Sequence, residues 1–66
     1  MLKFEDLVKA LDKDIRVEIY KIERSGIVEN LIYNGLIKNL KEFPDCVYKL
    51  CPQRTSREIY LEIYTY

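Results

Sequence analysis

The sequence predicts an α+β fold in which an N-terminal amphipathic helix packs on a small, mainly antiparallel four-stranded sheet. Three observations carry this expectation. An apolar stripe at helical period lies near the start, strict period-two alternation begins after Asp14, and turn-forming residues are spaced to join consecutive strands by short connections.

The helix is read from Phe4, Leu7, Val8 and Leu11, which fall at i, i+3, i+4 and i+7 and make one stripe. Glu5 and Asp6 in the first turn and Lys9 and Lys13 toward the end suit the helix dipole, and Glu5 and Lys9 form an i,i+4 pair. So short a helix is marginal alone, so its stripe must be covered.

Asp12-Lys13-Asp14 breaks the pattern. In Ile15-Arg16-Val17-Glu18-Ile19 apolar and charged residues alternate, which predicts a half-buried strand running on through Tyr20-Lys21-Ile22. Glu23-Arg24-Ser25-Gly26 suits a hairpin connection, with Gly26 supplying a positive φ. A second strand is expected from Ile27 to Tyr33, ending at the turn-prone pair Asn34-Gly35.

The stretch Leu36 to Phe43 reads two ways. Leu36, Ile37, Leu40 and Phe43 suit one face of a short helical turn, or the second strand runs on to Ile37; Pro44-Asp45 stops either. A short third strand is expected from Cys46 to Cys51, a polar loop over Pro52-Gln53-Arg54-Thr55-Ser56-Arg57, and a last strand from Glu58 to Tyr66. That last strand places Ile59, Leu61 and Ile63 on one face and Tyr60, Glu62, Tyr64 and Tyr66 on the other. Its apolar face, with Ile15, Val17 and Ile19, is expected to meet the helix stripe across one core, and the strand is expected at a sheet edge. The alternative architecture is a small curled, SH3-like barrel with the helix capping an opening.

Sixty-six residues suit a single domain, 1–66, with a thin stability margin, for which self-association is a common remedy. Apolar residues at 48% with only two Gly and two Pro argue for a folded chain. Lys plus Arg and Asp plus Glu number eleven each, with signs interleaved. This balance argues against holding a nucleic-acid backbone and slightly favours self-association. The absence of any apolar run of membrane length, with acids rather than an apolar stretch after Met1, predicts a cytoplasmic protein without a membrane partner.

Catalytic chemistry finds few handles. The chain has no histidine, its carboxylates are spread out, and Ser25 and Ser56 lie in no motif. Gly26 and Gly35 belong to no phosphate-binding loop. Cys46 and Cys51 are five apart, which matches neither zinc nor redox spacing, so free thiols are expected, with no metal and no cofactor. A non-enzymatic chain is therefore expected.

Two groups remain as binding candidates. Arg54 and Arg57, with Thr55 and Ser56 between them and Lys49 near, suit gripping a phosphate or a partner's carboxylate; they equally suit a solvated hairpin loop. Six tyrosines and no tryptophan mark the second group. Tyr20, Tyr60, Glu62, Tyr64 and Tyr66 fall on the non-core side of the expected sheet, a surface for another copy, a different protein or stacked bases. The plainer reading makes them cross-strand pairs in a thin domain.

The pattern Leu7–Leu11, Ile15-Arg16-Val17-Glu18-Ile19-Tyr20, Tyr33-Asn34-Gly35 and Leu40 resembles short uncharacterised proteins of phages and mobile elements of Gram-positive bacteria. There a helix is followed by a V-x-I-Y strand, a Y-x-G strand end and an Ile/Val-rich final strand. The resemblance brings no catalytic residues. It implies a context of small regulators or inhibitors that bind host or phage proteins. The leading expectation is thus a protein-interaction or regulatory module, first of all a homodimer. The second is a small-ligand or nucleotide-binding anti-defence protein using Arg54, Arg57 and the tyrosine face, and the third a nucleic-acid-binding barrel.

Overall fold

A computed structural model describes residues 2–23 and 29–66. Of the connection expected over 23–26 only Glu23 is described, and Ile27, the expected start of the second strand, lies outside the described residues.

The elements run β1 (Leu2–Lys3), α1 (Phe4–Ala10), β2 (Arg16–Ile22), β3 (Glu29–Leu36), the 3-10 turn η1 (Ile37–Asn39), β4 (Cys46–Val47), β5 (Lys49–Arg54) and β6 (Ile59–Thr65). One helix with a majority of strand residues makes an α+β arrangement. The main sheet has the order β3-β2-β6-β5, and β1 pairs with β4 in a separate two-stranded ribbon.

Helix α1 forms where the stripe predicts, and Phe4 and Leu7 are its buried residues. It ends because Leu11 turns extended, its N–H still bonding the carbonyls of Leu7 and Val8. The Asp12 carboxylate then accepts the Asp14 N–H at 3.2 Å, an Asx turn that leads the chain into β2. The segment leading into α1 is held by the β1–β4 ribbon and by the Phe4 N–H, which donates to the Asp45 carbonyl at 3.2 Å. Among the described residues Lys9 makes no ion pair with Glu5, contrary to the spacing.

The core joins Phe4 and Leu7 to Val17, Ile19, Leu61 and Ile63 from the sheet, and to Ile37 and Val47. Phe4, Val17, Ile19 and Ile63 are wholly buried, each worth about 1.5–3 kcal/mol of apolar transfer. Ile59 shares the phase of Leu61 and Ile63 yet is 64% exposed, because it opens β6 beyond the reach of the helix. The expected core position at Ile59 is therefore corrected.

The expected mainly antiparallel four-stranded sheet holds in part, and further expectations are corrected. The sheet pairs β2–β3 and β5–β6 antiparallel, but β2 and β6 run parallel at its centre. The long excursion through β3, η1, β4 and β5 returns the chain in the direction of β2, the kind of crossover a parallel pair requires. Strand β6 is therefore central rather than an edge; the edges are β3 and β5, and no pairing joins them into a barrel. Asn34-Gly35 forms no turn but lies within β3. A Cβ on Gly35 would stand 2.9 Å from the Tyr33 hydroxyl, and that hydroxyl donates to the Leu36 carbonyl at 2.7 Å. The glycine makes room for the Tyr33 ring to fold over its own strand. Finally, Pro52-Gln53-Arg54 belongs to β5, whose edge position tolerates a residue without an N–H.

Both readings of Leu36 to Phe43 hold in part: the strand runs to Leu36, and η1 follows at once. The expected third strand divides into β4 and β5 with a bend at Tyr48. Among the described residues no helix is long and apolar enough to cross a membrane.

Candidate functional site

Elements α1, η1 and β4 all contribute to the core on one face of the sheet, and among the described residues no element packs on the other. Period-two alternation places Arg16, Glu18 and Tyr20 of β2 there, beside Tyr60, Glu62 and Tyr64 of β6. The parallel register sets them in three rows: Arg16 beside Tyr60, Glu18 beside Glu62 and Tyr20 beside Tyr64. Strand β5 extends these rows with Gln53, Cys51 and Lys49.

Arg16 is the hub. Its guanidinium reaches Glu18 at 2.8 Å, Glu58 at 2.8 Å and the Asn34 side-chain carbonyl at 2.9 Å, and lies 4.1 Å from the centre of the Tyr60 ring. The Tyr20 hydroxyl donates to the other Glu18 oxygen at 2.7 Å. Glu62 accepts from Gln53 at 3.0 Å and from the Tyr64 hydroxyl at 3.2 Å. The Tyr20 and Tyr64 rings stack with centroids 5.2 Å apart, and the Lys49 ammonium lies 5.4 Å from the Tyr64 ring centre. Such an aromatic pair is worth about 0.5–1.5 kcal/mol beyond its buried area.

The ionisations follow this geometry. Hydrogen bonds from Arg16 first and Tyr20 second hold the Glu18 carboxyl below its ordinary range. The same bond to Glu18, with partial burial, pushes the Tyr20 phenol up to about 12. Burial first, then the Glu62 charge, pushes Tyr64 up to about 12. Glu58 and Glu18 together raise Arg16 further above its already high value.

Sequence reasoning singled out seven residues in two groups, and the structure distributes them over four places. Tyr20, Tyr60, Glu62 and Tyr64 share the uncovered face. Tyr66 lies beyond the end of β6, 57% exposed, its ring 4.9 Å from that of Tyr48 and away from the Tyr20–Tyr64 stack. With Leu2, Val47 and Leu50 these two rings line a separate apolar cleft. Arg54 pairs with Ile59 in the register, so it projects on the side opposite the tyrosines. Arg57 is exposed in the hairpin turn, where its N–H bonds the Thr55 hydroxyl at 3.2 Å. The loop meets the tyrosine face through Glu58 instead. Among the described residues Arg54 and Arg57 are not brought beside these tyrosines.

No protein-family model, curated protein or solved structure matches this chain. Its site must be read from its own geometry.

Arg16, Glu58 and Gln53 were not singled out from the sequence. The signal for Arg16 was the alternation of β2, which puts it in phase with Glu18 and Tyr20. Glu58 and Gln53 gave no comparable signal, because their places depend on the β5–β6 and β2–β6 registers. Cys46 and Cys51 are free, half-buried thiols. Among the described residues no three His, Cys, Asp or Glu side chains converge as a metal site would require.

Proposed function

We propose that this chain is a non-enzymatic protein-interaction module whose contact surface is the uncovered sheet face centred on Arg16, Tyr60 and Tyr64. The supporting observation is preorganisation. Arg16, Tyr20, Tyr60 and Tyr64 are fixed by one another and by three carboxylates before any partner arrives. Binding to such a face forfeits little side-chain entropy, and Tyr and Arg are the residues that dominate binding energy at protein interfaces. The accessory-protein context implied by the sequence resemblance fits a role as regulator or inhibitor.

The charge of the face favours protein over nucleotide or nucleic acid. Arg16 and Lys49 stand among three carboxylates, Glu18, Glu58 and Glu62, so a phosphate brought there meets a net acidic field. A second copy is one eligible partner, but pairing through β6 is closed to it, since both sides of that strand are occupied.

The test is capture of interacting proteins by the immobilised chain, wild type against Tyr60→Ala, with circular dichroism to show that both are folded. A discrete partner held by the wild type and lost by the variant supports the reading. A partner retained at full strength by the folded variant moves the contact elsewhere.

A further inference from the structure

On the opposite side of the molecule a groove of about 580 Å³ runs between α1 and η1. Its floor is apolar, formed by Val8 and Leu11 from the helix side and Leu40 after η1. Its rim is basic: Lys9 and Lys13 stand on the helix bank and Lys38 on the η1 bank. The banks are tied by backbone bonds, Ile37 N–H to the Ile15 carbonyl at 2.9 Å and Lys38 N–H to the Lys13 carbonyl at 3.2 Å. That second bond brings Lys13 and Lys38 together on the rim, although like charges repel. Asp14 answers only Lys38, at 3.0 Å and on an exposed surface, where such a pair is worth little. Among the described residues Lys9 and Lys13 have no carboxylate partner.

We propose that this groove receives an acidic amphipathic segment of a partner protein. Its apolar side chains would lie against Val8, Leu11 and Leu40, and its carboxylates would meet Lys9, Lys13 and Lys38. An apolar floor between two basic banks complements a helix with one apolar face and acidic flanks. Cations on both banks call for several separated carboxylates, which a peptide supplies and a single-headed amphiphile does not. The chain would then carry two opposed surfaces, the weakly acidic sheet face and this basic groove. The proposal shares with the sheet-face reading only that the chain binds protein, and either surface can fail without the other.

The experiment is a fluorescence-anisotropy titration of a labelled synthetic peptide with leucines at helical spacing and glutamates elsewhere, run beside a counterpart with lysines for the glutamates. The acidic peptide is expected to bind saturably, to weaken with added salt, and to lose about tenfold or more in affinity to Lys9→Glu/Lys13→Glu. The doubly substituted protein is expected to take up the lysine peptide instead, an exchange that an unfolded variant would not show. Amide shifts in the NMR spectrum are expected around Val8, Leu11 and Leu40. Absence of binding, equal binding of both peptides, indifference to the charge reversal, or shifts confined to Tyr60 and Tyr64 would each overturn the proposal. So would a concentration-dependent rise in solution mass, abolished by the same substitutions, since a second copy would then occupy the groove. Tyr60→Ala is expected to leave the titration unchanged, which separates the two surfaces.

Discussion

Glu18 and Glu62 stand side by side at the same register position of the central parallel pair, two carboxylates on adjacent strands of an uncovered face. Like charges at such a position destabilise a sheet. Here each is answered differently: Glu18 by the Arg16 guanidinium and the Tyr20 hydroxyl, Glu62 by the neutral donors Gln53 and Tyr64. The tyrosines of this face therefore do more than fill area.

Replacing Arg16 with Met should lower the urea midpoint, because Glu18 then stands beside Glu62 without its cation. Adding Glu18→Gln to that variant should restore part of the loss. The pH dependence checks the same pair. The folded carboxyl of Glu18 titrates below its ordinary value of 4.5, so its contribution is present above that pH and is lost as pH falls through the folded value. Acid unfolding followed by circular dichroism should show a smaller loss of stability in Arg16→Met than in the wild type.

At high pH the sign reverses. Tyr20 and Tyr64 are raised from 10.0 to about 12 in the folded protein, so they stabilise it below pH 10.0 and that stability drains away as pH rises toward 12. Titration of phenolate absorbance should show a late-ionising fraction near pH 12. Glu18→Gln should move part of it to lower pH, since Tyr20 loses its acceptor charge.

Ile59 and Ile63 have the same side-chain type and the same strand phase. Ile63→Val should cost about 0.5–1.5 kcal/mol, because Ile63 is wholly buried. Ile59→Val should change stability by no more than about 0.5 kcal/mol, because that side chain already meets solvent. Chemical denaturation of the two variants measures the contrast directly.

Gly35→Ala should destabilise by about 1–2 kcal/mol, because its methyl would displace the Tyr33 ring and break the bond to the Leu36 carbonyl. The same change should cost clearly less in a Tyr33→Ala background, where the ring is already gone. A double-mutant cycle reads the coupling; costs that simply add would show that the ring and the glycine do not depend on each other.

Thr65 is buried and its hydroxyl donates to the Cys46 carbonyl at 2.8 Å, linking the end of β6 to the ribbon that holds the helix. Thr65→Val keeps the shape and removes the donor, and should cost about 1 kcal/mol. Thr65→Ser should keep most of the bond, and thermal melts of the two would separate hydrogen bonding from packing.

Several local elements are legible in residue order alone. The i, i+3, i+4, i+7 stripe specified α1, and alternation specified β2, β6 and the two faces they present, including the placement of Tyr20, Tyr60 and Tyr64 opposite the core. These patterns are legible because burial acts at the period of the backbone itself. How the strands meet depends on contacts between distant parts of the chain. The parallel pairing of β2 with β6 depends on the path of the chain through β3, η1 and β5, and no residue of either strand encodes it locally. That pairing makes Arg16 a neighbour of Tyr60, sets Glu18 against Glu62 and draws in Glu58, while the β5–β6 register turns Arg54 to the other side. The ribbon of β1 and β4 was equally hidden, since two-residue strands carry no period. The basic groove arises the same way: Lys9, Lys13 and Lys38 share a rim only because η1 docks against the segment after α1, a contact between distant parts of the chain.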